Sequence, residues 1–290
     1  MFWFILAIAT AFCVATGDAL TKKFFGRFSP YDMAVASSIY SLPFLIICIF
    51  FIPIPQLDSV FWWLASVLIP LDVFAFYLYM KAIKISPLSV SIPFLSFTPV
   101  FMILTGFLVL GEVPNIWGII GIGFVVAGSY LLNVTQVKYG YFAPFKVILR
   151  EPGSILMLLV AFIYSFLAVL GKKAIQHSSP LFFGFFFLAT FDVAILILFP
   201  FLKKIKWRDI LKIPAKGLAV GLMLFLHVLF HSLSISMVEA VYMIAVKRMS
   251  ILFSVGYGWV LFKETDIGAR MLGTLFMFAG VVFIILYGKG

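Results

Sequence analysis

The chain has 290 residues, 64% of them hydrophobic and only 11% charged. A soluble domain of this size carries roughly a quarter charged residues, so a water-soluble globular core is excluded. The net charge of +10 does not mark a nucleic-acid protein, because the Lys and Arg fall mostly in short loops between apolar runs, as basic loops beside a bilayer do.

In chain order, apolar runs near 2–20, 31–52, 60–81, 87–110, 115–133, 154–172, 180–202, 215–236, 238–262 and 267–287 each predict a spanning helix. Each is close to the ~20 residues that cross the hydrocarbon as a helix. No basic segment precedes the first run, so it is expected to stay as a span rather than to be cleaved as a signal peptide. Cys13 and Cys48 fall inside apolar runs and read as small buried hydrophobes. The fold class is therefore all-α, a polytopic membrane protein of ten spans.

The fourth run contains Pro93 and Pro99 around Ser96, and each proline removes a backbone hydrogen bond and kinks the helix. Asp18, Asp72 and Asp192 are ionisable groups inside the first, third and seventh runs. In the eighth run, His227 and His231 share a helix face. Their spacing can bind zinc, but no third ligand or HExxH accompanies them, so a polar stripe is expected and no metal. In the ninth run, Glu239, Tyr242, Lys247, Arg248 and Ser250 follow one another, with the two cations close to mid-span. A cation at a helix centre costs about 2.5–3.5 kcal/mol on insertion scales, so this pair must face a cavity or a partner rather than lipid.

The chain also matches itself. Lys22-Lys23 and Ser29-Pro30 recur at the same spacing as Lys172-Lys173 and Ser179-Pro180. Further on, Phe101, Glu112, Gly121 and Gly128 align with Phe253, Glu264, Gly273 and Gly280. Two five-helix repeats follow, residues 1–137 and 138–290. Five is odd, so the second copy enters from the opposite side, giving an inverted repeat. The glycines on one face of the fifth and tenth runs predict close helix packing, not a dinucleotide loop.

These markers resemble the EamA family of the drug/metabolite transporter superfamily over essentially the whole chain. The markers are the Ser-Pro after the first and sixth spans, Leu110-Gly111-Glu112 and Phe262-Lys263-Glu264 closing the fourth and ninth, and the Gly-rich helices that follow. The resemblance implies an exporter or exchanger of small solutes in the cell membrane with both termini inside. Charge bias points the other way. Basic residues crowd the loops after odd-numbered spans and only Lys172, Lys173 and Lys289 lie opposite, which places the termini outside.

Alignment of the repeats sets Lys247 and Arg248 over Leu95 and Ser96, so a charged pair faces a proline-broken helix across the pseudo-axis. The expected substrate-binding set is Lys247, Arg248, Ser96, Pro93, Pro99, Tyr242 and Ser250, with the cations holding an anionic or zwitterionic solute. The competing expectation is an internal ion pair with Asp18, Asp72, Asp192 or Glu239. Those acids, with His227 and His231, are also the candidates for a coupling proton. No catalytic set or cofactor motif supports an enzyme. A lipid-handling carrier of the same superfamily and a passive channel are the alternatives to a solute transporter, and monomer and homodimer stay open.

Overall fold

A computed structural model describes residues 2–131, 151–263 and 270–288, apart from a few side chains within helices, that of Pro93 among them. Glu264 and Lys289 lie outside the described residues. The described chain is helical, with no strand. The first half comprises α1 (Phe2–Phe25), α2 (Pro30–Ile49), α3 (Ser59–Ile85), α4 (Leu88–Ser91), a 3-10 stretch (Ile92–Phe97), α5 (Thr98–Leu110) and α6 (Ile116–Leu131). The second comprises α7 (Pro152–Gln176), α8 (Pro180–Leu202), the short α9 (Trp207–Leu211), α10 (Pro214–Ile235), α11 (Ala240–Lys247), α12 (Ser250–Phe262) and α13 (Arg270–Tyr287).

Among the described residues, seven stretches are long and apolar enough to cross a bilayer: α1, α2, α3, α7, α8, α10 and the α11–α12 pair. Three further apolar segments, Phe94–Leu110, Ile116–Gly128 and Leu275–Tyr287, are shorter. The chain is thus an integral, multi-pass membrane protein. The predicted fourth span is not one helix, since Pro93 and Pro99 cut it into α4, the 3-10 stretch and α5.

The recurring Ser-Pro has a local cause. Ser29 caps α2 by accepting from the Asp32 N–H at 3.1 Å, and Ser179 caps α8 by accepting from the Phe182 N–H at 3.3 Å. In both, the proline fills the first helical turn, where no N–H is needed. Asp58 caps α3 and Glu151 caps α7 in the same manner.

Packing between the halves is reciprocal. α1 lies along α10 while α3 lies along α7, and α1 meets α12 while α7 meets α5. α2 packs on α8 and α6 on α13, each helix against its own counterpart. At the α6–α13 seam, a Cβ on Gly121 would strike the Gly280 carbonyl, and one on Gly128 would strike the Gly273 carbonyl. The lower-numbered glycine of one helix meets the higher-numbered one of the other, so the two helices run antiparallel. Only glycine permits that backbone approach.

Candidate functional site

The repeat places a helix break at matching positions in both halves. In the first half the prolines make it. In the second, α11 stops at Lys247 without a proline, and Arg248 (φ −66°, ψ −8°) and Met249 form the turn into α12. The Arg248 N–H is shared between the Ile244 and Ala245 carbonyls, each at 3.2 Å, the tightened geometry of a helix ending. Lys247 and Arg248 thereby leave the helix where neither is carried past the next turn.

Both line a cavity of about 210 Å³ bordered by α1, α2, α3, α7, α8, α10 and α11, with Leu95 of the 3-10 stretch on its wall. Most of the wall is apolar, including Leu68, Phe76, Phe183, Phe187, Phe191 and Met223. The polar groups converge from different elements: Asp18 from α1, Asp72 and Tyr79 from α3, Tyr164 from α7, and His227 and His231 from α10.

Within this cluster the Lys247 ammonium is held by imidazoles. Its Nζ lies 2.9 Å from His227 Nε2 and 3.5 Å from His231 Nδ1. An ammonium at such distances donates to an unprotonated ring nitrogen, because two cations would repel. Tyr79 donates its hydroxyl proton to Asp18. Asp18 and Asp72 lie within electrostatic reach of Lys247, whereas the phenols of Tyr79 and Tyr164 lie within reach of Arg248.

Among the described residues the ion pairs are Lys172–Glu112, His177–Asp58 and Lys212–Asp209, and none includes Lys247 or Arg248. The expected pairing of these cations with Asp18, Asp72, Asp192 or Glu239 is therefore not made. Arg248 is 3% exposed and its Nε has no hydrogen-bond partner among the described residues.

The other sequence-derived candidates divide. Asp18, Asp72, His227 and His231 line the cavity. Ser96, Pro99, Tyr242 and Ser250 are buried but do not line it. The Tyr242 hydroxyl instead accepts from the Asn115 N–H at 3.0 Å, at the entrance to α6. Asp192 is fully buried, off the cavity wall, and takes a hydrogen bond from Ser41 of α2. Glu239 lies just before α11. Burial, then the charge of Glu112, raise its carboxyl above the usual range, and Lys172 pulls it back. No group of three or more potential metal ligands occurs among the described residues.

Two features escaped the sequence. Tyr79 and Tyr164 sit in aromatic-rich runs where nothing separates a polar tip from packing bulk. The Lys172–Glu112 pair joins two markers of the repeat that have no sequence proximity. Lys172 also donates to the Val238 carbonyl at 2.7 Å, and Glu112 accepts from the Ala240 N–H at 2.9 Å. This knot ties the end of α5, the end of α7 and the start of α11 together.

Comparison with known proteins completes the picture. The family model described as the EamA-like transporter family matches residues 1–134 and 151–286, one segment per half. Among curated proteins there is no match. A solved structure, described only as a crystal structure of a protein, is similar with a TM-score of 0.66 and 14% identity, over 99% of this chain and 97% of that one. At that identity the likeness concerns the fold alone.

Proposed function

Because the chain belongs to the EamA-like transporter family, we propose that it is a secondary transporter, an exporter or exchanger, that moves a small anionic or zwitterionic solute by alternating access. The transport unit is ten spans arranged as two inverted five-helix repeats, residues 1–137 and 138–290. Reciprocal packing between the halves and matched breaks in their fourth helices support that arrangement. Broken helices facing each other near the membrane midplane form the solute sites of such repeats. The cell membrane is the location that the family suggests.

The observation that carries the reading is that Lys247 and Arg248 line a cavity with no acid among the described residues paired to either. Two unpaired cations at membrane depth are expensive, about 2.5–3.5 kcal/mol each, and a bound anionic group offsets that cost. Asp18 and Asp72, on the same wall, are the groups placed to carry a coupling proton.

The test is counterflow in proteoliposomes, with a panel of labelled organic acids and amino acids. At least one solute should exchange saturably, and the Lys247→Ala/Arg248→Ala double variant should lose that exchange while keeping its fold. Flux that never saturates would make the protein a channel, and movement of labelled phospholipid without solute exchange would make it a lipid carrier.

A further inference from the structure

The two neighbouring cations are not equivalent. Lys247 is committed: two imidazoles hold its Nζ, and two carboxyls on the wall face its charge. Arg248 has none of this. No described side chain or carbonyl bonds its guanidinium, its Nε is buried without a partner, and its electrostatic neighbours are phenols rather than acids. Of the two cations at this end of the cavity, Arg248 is therefore the one that no described group holds directly.

A second unengaged group lies beside it. The Tyr79 hydroxyl donates its hydrogen bond to Asp18, but the Tyr164 hydroxyl, on the same wall, makes no hydrogen bond among the described residues. Its neighbours within electrostatic reach include Arg248 and Asp72. A guanidinium fork with one phenolic donor matches the two oxygens of a single carboxylate. Its single positive charge matches a monoanion rather than a phosphate dianion. Away from this end the wall is mostly apolar, with Phe76, Phe187, Phe191 and Leu68 and only scattered hydroxyls such as Thr21, Ser37 and Ser232, which suits an apolar body.

We propose that Arg248, assisted by the Tyr164 hydroxyl, grips the carboxylate of an organic monoanion whose apolar body lies against the aromatic wall, while Lys247 serves the imidazole and acid cluster instead. This rests on the solute site proposed above and deepens it.

The test uses purified full-length protein and three probes: 3-phenylpropionate, 3-phenylpropylamine and inorganic phosphate, read by calorimetric titration and by thermal stabilisation. Phenylpropionate should bind, and the amine and phosphate should not. Arg248→Lys keeps the charge but loses the fork, and should weaken phenylpropionate at least ~10-fold. Tyr164→Phe, which leaves charge and packing in place, should weaken it by a smaller factor, and Lys247→Gln should weaken it less than Arg248→Lys does. If Lys247→Gln removes binding and Arg248→Lys spares it, the assignment to Arg248 is overturned while the solute site stands. If both variants bind as the unmodified protein does, the site itself falls. Binding of the amine, equal binding of phosphate, or no binding of phenylpropionate each overturns the monocarboxylate class.

Discussion

Lys22 and Lys172 make the same contact in the two halves: Lys22 donates to the Ser86 carbonyl at 2.6 Å and Lys172 to the Val238 carbonyl at 2.7 Å. The donors are repeat counterparts, and so are the acceptors. Each lysine thus pins the end of its repeat's first helix to the segment leading into the broken fourth helix.

On the Lys172 side, the contact is reinforced by Glu112, and the two side chains are only 10% and 16% exposed. Removing one member leaves a largely buried charge without its partner. Lys172→Ala should lower unfolding stability by about 3 kcal/mol, and the double variant Lys172→Met/Glu112→Gln should lose less than the two single changes summed. Chemical denaturation in detergent, run as a double-mutant cycle, measures both.

Asp192 is expected to be structural. The Ser41 hydroxyl, which also lies 2.8 Å from the Ser38 carbonyl, donates to the Asp192 carboxyl, a contact that needs an acceptor at residue 192. Asp192→Asn supplies one and should melt close to the unmodified protein. Asp192→Ala should cost about 1–3 kcal/mol, and neither should alter solute affinity.

The hydroxyl of Tyr242 anchors the first turn of α6 through Asn115. Tyr242→Phe should therefore destabilise by about 1 kcal/mol without changing solute affinity. A matched pair of melting and binding measurements separates this from a role in the cavity.

Near the start of α3, Asp58 gives a pH-dependent contribution. The Phe61 backbone N–H and then His177 hold its carboxyl below the usual carboxylate range. A carboxyl held low in the fold adds stability that is present above its unfolded value of about 4 and is lost as the pH falls through the folded value. Melting temperature should fall more steeply on acidification through that window in the unmodified protein than in Asp58→Asn.

Gly111 and Lys263 close equivalent helices with left-handed backbone, φ 68° and 55°. Only glycine adopts that region without steric cost, so the second repeat keeps the turn at a price of about 1 kcal/mol. Lys263→Gly should raise thermal stability and Gly111→Ala should lower it, each by about that amount.

The amino-acid sequence alone determined that the chain lives in a bilayer, that it is duplicated, and that a cationic pair in the ninth apolar run is the feature in need of explanation. Composition, run length and residue type carry those signals, and each is local or periodic. It also placed the break in the fourth run, because proline acts within its own turn. The matching break at Lys247–Met249 has no such residue and was not legible. Only the tertiary structure decided what surrounds the cations, since hydrogen bonds and ion pairs join residues far apart in the chain. It brought His227 and His231 to Lys247, left Arg248 without an acid, moved Asp192 and Tyr242 away from the cavity, and joined Glu112 to Lys172. Charge sorts a residue into the interior, but the partner it meets there depends on which helices the fold sets side by side.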